Sequence, residues 1–533
     1  MAGSIPASSP AFSPAFSPAF SNEPFADLRS AEVREKFGAA VSAAARSAAF
    51  EAPLIIAGER LATQGRIDSV DPSDPGRVVC RSGRAGRAEV DRAVEAAARA
   101  QGAWAATSPR YRADVVLRAA AIMREKRCEL AGLEVIEAGK PWTQADADVC
   151  EAIDFCEYYA REVLLLAEGA PVLQAPGESN SYGYQSRGIV AAIAPWNFPL
   201  AIPCGMVTAG LVCGNAVMLK PAEQTPGVGL RLIEILLEAG VPSGALAFLP
   251  GVGEEAGAAL VDHPQISVIA FTGSKDVGLQ IIERAAVTGR GQRHVKKVIA
   301  EMGGKNAVVV DADADLDLAV PAIVDSAFAY AGQKCSAASR LIAVGDVYDA
   351  VVDRLVEATR SVRVGPASDP ETVVGPVIDE IAFRRIGRYQ EIAREEGEVL
   401  VQRTDIPDTG WFVGPTVAAC EDPDARIATE EIFGPLIVCL RADDFGRALE
   451  IANSTPYALT GGVFSRTPAH IRQASEQMRA GNIYINRKIT GALVGRQPFG
   501  GYGLSGVGSK AGGPDYLLQF CEPRVITENT ARP

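Results

Sequence analysis

Apolar residues in this chain come either in short unbroken runs or at helical spacing, and the two patterns alternate. The runs Ile189–Ile193, Ala216–Leu219, Leu246–Leu249 and Val268–Phe271 predict buried strands. A parallel strand covered on both faces has no polar alternation. Between the second and third runs a helix is signalled by Thr225 as N-cap, Pro226 at the first position and Gly240 as the stop. Val90, Val94 and Ala97 share one helical face, and a second long helix is predicted from Ala113 to about Leu130. After residue 305 the pattern repeats. Strand-like runs are Ala307–Val310, Leu341–Val344, Leu436–Leu440 and Asn482–Ile485. Helical runs fall near Asp317–Tyr330, Tyr348–Val362, Ile381–Glu396 and Ala469–Met478. Strand–helix–strand units of this length predict an α/β fold, with parallel sheets flanked by helices and a domain boundary near residue 300.

Two stretches break the pattern. Residues 171–187 are polar with little helix signal, and read as an excursion such as a hairpin used in assembly. Near the start, Ser-Pro-Ala-Phe occurs three times, at Ser9–Phe12, Ser13–Phe16 and Ser17–Phe20. Proline every four residues forbids a regular helix, so this segment reads as a disordered tail. No Lys or Arg precedes Arg29, so the basic region of a secretory signal is missing. No apolar run reaches the roughly 18 residues that span a bilayer, which gives no membrane and a cytoplasmic expectation.

Composition removes several function classes. The 52 Lys+Arg against 65 Asp+Glu give a net charge of -13, which argues against a nucleic-acid surface. The three histidines, His263, His294 and His470, form no metal-ligand spacing, so no metal is expected. Ten cysteines without a C-x-x-C pair match a reduced, intracellular chain.

Five segments carry candidate chemistry. Cys335 lies in Gly332-Gln333-Lys334-Cys335-Ser336, a small polar turn that exposes a thiol and aims N–H groups at an oxyanion; the adjacent Lys334 would favour the thiolate. Glu301 stands between an apolar run and Gly303-Gly304; it is a general base with a raised pKa, a helix N-cap, or an ion-pair partner of Lys305. Pro195-Trp196-Asn197-Phe198-Pro199 follows a strand, where ligands of parallel sheets gather, and Asn197 can donate to an oxyanion. Lys220 and Glu223 suit the two hydroxyls of a ribose, and the Glu would repel a 2′-phosphate, favouring NAD over NADP. Phe271–Gly278 offers a helix N-terminus to a pyrophosphate, and Gly251, Gly253 and Gly257 permit close backbone approach. Gly501-Tyr502-Gly503-Leu504-Ser505-Gly506 spells G-x-G-x-x-G but opens no βαβ unit, and reads as a substrate-side or packing loop.

From about residue 50 onward the chain resembles the aldehyde dehydrogenase superfamily. The resemblance rests on Pro195–Pro199, Lys220–Glu223, Phe271–Ser274, Glu301–Gly304, Gly332–Cys335 and Glu430–Pro435, in the family's order. It implies a Rossmann-type cofactor domain, an α/β catalytic domain and a small β excursion for oligomerisation. The implied boundaries are 50–170 with 188–300, then 301–514, then 171–187 with 515–533, after an N-terminal tail and arm over 1–49. It further implies an NAD-dependent enzyme with Cys335 as nucleophile, Glu301 as base, and Asn197 with the Cys335 N–H as oxyanion hole. Trp196, Lys220, Glu223, Gly253, Gly257, Ser274, Glu431 and Phe433 would then hold the cofactor.

Glu137–Trp142, Ala300–Asn306, Asn486–Ala492 and Ser509–Tyr516 resemble a narrower branch of that family. Its members oxidise L-glutamate γ-semialdehyde, the open form of 1-pyrroline-5-carboxylate, to L-glutamate in proline catabolism. There the substrate's α-carboxylate would be anchored by Gly491 and Ala492 with the Ser336 hydroxyl. Glu137 would meet the α-ammonium, and Phe198 and Phe499 would flank the aliphatic part. Arg496, beside the anchor, would admit dicarboxylate-like semialdehydes if it faced the pocket. The resemblance also implies a homodimer or hexamer, and leaves exchange with a separate proline dehydrogenase open. Competing readings are another semialdehyde such as succinate semialdehyde, a thioester hydrolase, and a catalytically silent binding protein.

Overall fold

The structure is a computed structural model that describes residues 19–531. Most of the Ser-Pro-Ala-Phe segment, residues 9–18, lies outside the described residues; Phe20 lies within them and packs edge-on against Tyr158 at 5.3 Å.

The first large sheet has eight strands. Its parallel part runs, in spatial order, Lys297–Glu301, Ile266–Thr272, Ile189–Ile193, Ala216–Lys220 and Leu246–Phe248. All five residues of Ile189–Ile193 and of Ala216–Lys220 are buried, which is why they read as unbroken apolar runs. After Ile189–Ile193 the chain builds outward to one side, then returns to add Ile266–Thr272 on the other. This places a topological switch point beyond Ile193 and Thr272, where the ligand of such a sheet sits.

The second sheet has seven strands, in the order Glu398–Gln402, Thr416–Ala419, Leu436–Ala442, Ala338–Val344, Asn306–Val310, Thr460–Phe464 and Asn482–Ile485. Only Glu398–Gln402 is antiparallel to its neighbour. Three of these strands, Glu398–Gln402, Thr416–Ala419 and Thr460–Phe464, gave no readable signal. Thr460–Phe464 carries two glycines, which lower intrinsic strand preference but let Ile489 and Met478 press onto its backbone.

The polar stretch after Pro171 contains the strand Glu178–Ser186, which pairs antiparallel with Cys521–Asn529 over nine residue pairs. It is therefore a ribbon between distant parts of the chain and not a local hairpin. The arm expected before residue 50 contains a helix. Ala31–Arg46 is a helix against the helix Arg127–Glu137, with Phe37 stacked on Trp142 at 4.8 Å. The expected helix from Ala113 is two helices, Pro109–Glu125 and Arg127–Glu137, divided at Lys126. No helix of the described residues is long and apolar enough to cross a membrane.

Candidate active site

Cys335 stands where two chambers meet. One, of about 110 Å³, is lined by Glu151, Phe155, Phe198, Glu301, Ser336, Gly491, Ala492, Gln497 and Phe499 among others. The other, of about 200 Å³, is lined by Trp196, Asn197, Ser274, Gly303, Arg385, Glu431 and Phe433. Cys335, Ile202, Thr272 and Met302 border both. The second chamber opens at the switch point beyond Ile193 and Thr272, as the topology requires.

The turn that presents the thiol is unusual. The helix Leu316–Phe328 ends, and Tyr330, Ala331 and Gly332 follow with φ of 56°, 54° and 66°. Two consecutive non-glycine residues in the left-handed region are costly and persist only when their surroundings hold them. Here the Tyr330 hydroxyl donates to the Ala138 carbonyl at 2.9 Å. Gln333 accepts from the Ile378 N–H at 2.9 Å and donates to the Pro376 carbonyl at 3.2 Å. Asn306 Nδ2 donates to the carbonyls of Cys335 and Ala337 at 2.7 and 2.9 Å, and fixes the Cys335 main chain to the second sheet.

Asn197 Nδ2 donates to the Gln333 carbonyl at 3.0 Å, so the loop after Ile193 is tied to the nucleophile's turn. One amide hydrogen remains for a second acceptor. Among the described residues the Cys335 N–H has no partner, so two donors are available for an oxyanion beside the thiol. The same holds at the anchor loop: the N–H groups of Gly491 and Ala492 and the buried Thr490 hydroxyl find no protein partner.

Glu301 ends the strand Lys297–Glu301, and one oxygen is buried without a partner. Burial raises its pKa to about 8, against smaller lowering effects of the Gly501 N–H and the Lys510 charge. Glu301 forms no ion pair with Lys305, whose ammonium is buried with no hydrogen-bond partner among the described residues. The G-x-G-x-x-G segment forms two short strands, and Gly506 pairs with Glu301. It is a packing loop behind the carboxyl.

The adjacent Lys334 is not among the leading influences on the Cys335 thiol. Burial, together with the charges of Glu301, Glu431 and Glu151, pushes the Cys335 thiol up to about 12. Burial also brings Lys334 down to about 8. Burial is the largest cause of the thiol's shift, and the three carboxyls, from distant parts of the chain, add to it.

Glu137 is not in the substrate-side chamber. It is fully buried, and its carboxylate accepts from the N–H groups of Gly227 and Val228 at 2.9 and 2.8 Å. These are unsatisfied donors of the first turn of the helix Pro226–Glu238, which attract a carboxylate. The chamber's other acid is Glu151. It shares a face of the helix Trp142–Ala167 with Phe155 and Tyr159, four and eight residues on, and its pKa is raised to about 8 by burial and the nearby Asp148. That i, i+4, i+8 spacing was visible in the sequence. Arg496 is exposed and lines neither chamber; its neighbour Gln497 does.

At the far end of the cofactor side, Lys220 Nζ and the Gly253 N–H both donate to Glu223 Oε1 at 2.7 Å. Glu223 Oε2 accepts nothing from the described residues. Gly257 closes the turn after Gly253, where a Cβ would meet open space. Ser274 caps the helix Lys275–Ala286, accepting from the Val277 N–H. Glu431 accepts from the Gly304 N–H at 3.1 Å, and a Cβ on Gly303 would lie 2.0 Å from its Oε2. Phe433, at φ 54°, meets Trp196 edge-on at 5.6 Å.

A profile of the aldehyde dehydrogenase family matches residues 60–526. A 1-pyrroline-5-carboxylate dehydrogenase from Geobacillus thermodenitrificans is 49% identical over 507 residues, 95% of this chain and 98% of the relative. A crystal structure of 1-pyrroline-5-carboxylate dehydrogenase from Thermus with bound NAD superposes with a TM-score of 0.94 at 45% identity, covering 96% of this chain and 99% of that one. Proline utilization A from Bdellovibrio bacteriovorus superposes with a TM-score of 0.95 at 48% identity, over 96% of this chain and 54% of that longer one.

Proposed function

The chain belongs to the aldehyde dehydrogenase family, and from that premise we propose that it oxidises L-glutamate γ-semialdehyde to L-glutamate with NAD+. The observation that carries this reading is Cys335 at the junction of two chambers, one of which holds both an acid and an anion anchor.

The substrate's head is a zwitterion and needs opposite partners at one end of its pocket. The unengaged N–H groups of Gly491 and Ala492, with the hydroxyl of Ser336, suit the α-carboxylate. Glu151, in place of Glu137, suits the α-ammonium. Phe198 and Phe499 line the same chamber and would flank the carbon chain between head and aldehyde.

The cofactor side fits NAD. Gly303 lets Glu431 approach the main chain, where a Cβ would overlap its carboxylate, and the Gly304 N–H donates to it. Lys220 and Glu223 suit the adenine-side ribose, with Gly253, Gly257 and Ser274 nearby; Trp196, Glu431 and Phe433 suit the nicotinamide riboside. When bound, NAD+ accepts the hydride. A 2′-phosphate would meet the Glu223 carboxylate, which favours NAD over NADP.

In the first half-reaction the Cys335 thiol gives up its proton to water, the thiolate sulfur attacks the aldehyde carbon, and Asn197 and the Cys335 N–H stabilise the oxyanion. Removing one such donor costs about 2.7–4 kcal/mol in other enzymes. Loss of hydride leaves a thioester on Cys335. In the second, Glu301 takes a proton from water as the water adds to the thioester carbon, and the sulfur leaves. The ribbon Glu178–Ser186 with Cys521–Asn529 leaves Val525 and Ile526 exposed, which supports its use in a dimeric building block.

The test is the initial rate of NADH formation with pyrroline-5-carboxylate beside succinate semialdehyde at equal concentration. A large preference for pyrroline-5-carboxylate is expected. A preference for succinate semialdehyde would leave the chemistry intact and overturn the substrate.

A further inference from the structure

The loop behind Glu301 is held by a single cation. Lys510 Nζ donates to the carbonyls of Gly481, at 2.8 Å, and Gly500, and to Asn482 Oδ1 at 3.2 Å. Asn482 in turn donates to the Pro498 carbonyl at 2.9 Å and accepts from the Gly500 N–H at 3.4 Å. Phe499 and Ala511 exchange two main-chain hydrogen bonds at 2.9 and 2.8 Å, fixing Lys510 alongside the segment it holds.

That segment is the wall behind the base. A Cβ on Gly500 would lie 2.6 Å from Glu301 Oε1, and the Gly501 N–H faces the same carboxyl. All three bonds of Lys510 go to neutral oxygens, and among the described residues it forms no ion pair. Its charge is therefore not cancelled by a partner of its own. The other titratable groups facing Glu301 are the Cys335 thiol from the nucleophile's turn and the Tyr516 hydroxyl from the C-terminal segment. Neither is cationic, so Lys510 is the source of positive charge at the base.

We propose that Lys510 is a positioning residue of the hydrolytic half-reaction: it holds the Gly500–Gly501 peptide against Glu301 and supplies the charge that lets that carboxyl act as the acceptor of water's proton. In the step it serves, water adds to the thioester carbon and its proton passes to Glu301. The carbon–sulfur bond then breaks, and its electron pair leaves on Cys335. Hydride transfer precedes this step and does not call on Lys510. The inference rests on the assignment of Glu301 as base, and the experiment separates the two.

The measurement is stopped-flow NADH formation by the full-length enzyme with pyrroline-5-carboxylate across pH, for the wild type, Lys510→Met, Lys510→Gln and Glu301→Gln. Lys510→Met should keep a first-turnover burst while its steady-state rate falls about tenfold or more. The pH at which that rate rises should move up by about one unit, because loss of a nearby cation raises a carboxyl's pKa. Lys510→Gln keeps hydrogen-bond donors without the charge. It should show the same upward pH shift with a smaller loss of rate, and it serves if the Met variant does not fold. Burst and steady state falling together, or an unmoved pH profile in the Gln variant, would overturn the proposal. Glu301→Gln that retains steady-state turnover would instead overturn the base assignment beneath it.

Discussion

The Lys140 ammonium lies 3.0 Å from the main-chain carbonyl of Asn197, deep in the protein and away from both chambers. It also donates to Asp148 Oδ2 at 2.8 Å and sits 4.1 Å from the centre of the Phe198 ring and 5.4 Å from that of Tyr330. Asp148 Oδ1 accepts from the Ala201 N–H at 3.0 Å, at the start of the helix that carries Ile202. Lys140, which also pairs with the buried Glu134 at 3.6 Å, thus joins the Asn197 loop, the chamber wall and the left-handed turn before Cys335.

Lys140→Met should lower kcat by about 10²-fold, comparable to the loss of an oxyanion donor, while the dissociation constant for NAD+ stays within a factor of about two. It also leaves Asp148 buried without its cation, at a cost of about 3–5 kcal/mol. Adding Asp148→Asn should recover much of the stability and little of the kcat. Thermal unfolding and steady-state kinetics on the single and double variants read both; full recovery of kcat in the double variant would refute the positioning role.

Glu151→Gln should raise KM for glutamate γ-semialdehyde by about tenfold or more, because it removes the charge proposed to meet the α-ammonium. Butanal, which lacks the amino group, should show little change. Equal losses on both aldehydes would assign Glu151 to the chamber's shape and not to head-group recognition.

Gly303→Ala places a methyl group 2.0 Å from Glu431 Oε2, so the carboxylate must move. The expected outcome is a rise of about tenfold in KM for NAD+, with a smaller change in KM for the aldehyde. On the other side of the cofactor, Glu223→Gln removes the charge set against a 2′-phosphate. The ratio of kcat/KM for NAD+ to that for NADP+ should fall by about tenfold.

The pH dependence has a definite sign. Glu301 acts as a base only when ionised, and burial holds its pKa at about 8. The steady-state rate should therefore rise through pH 8 and level off above it. Cys335, with its thiol raised to about 12, should alkylate slowly with iodoacetamide in the cofactor-free enzyme at neutral pH. Saturating NAD+ should speed the reaction, because the cationic nicotinamide would share the 200 Å³ chamber with the sulfur. An alkylation rate at pH 7 that is already fast without cofactor would contradict the charge balance described above.

Much of this protein was legible in its sequence. Ile189–Ile193 and Ala216–Lys220 announced themselves because a strand covered on both faces must be apolar throughout. The turn that presents Cys335, the glycine pair after Glu301 and the Asn197 loop were legible because each needs particular residue types in a short stretch of backbone. Glu137 and Glu151 show where that stops. Both are acids on successive helices, and the spacing of Glu151 with Phe155 and Tyr159 shows a shared face but not what that face lines. The fold turns one toward the N-terminus of Pro226–Glu238 and the other into the chamber. The state of Cys335 was likewise out of reach, since Lys334 is its neighbour in sequence while Glu301, Glu431 and Glu151 surround it only in space. Local composition determines which backbone shapes the chain adopts. Burial and electrostatics sum over neighbours from the whole chain, so only the tertiary structure decided which charges face one another.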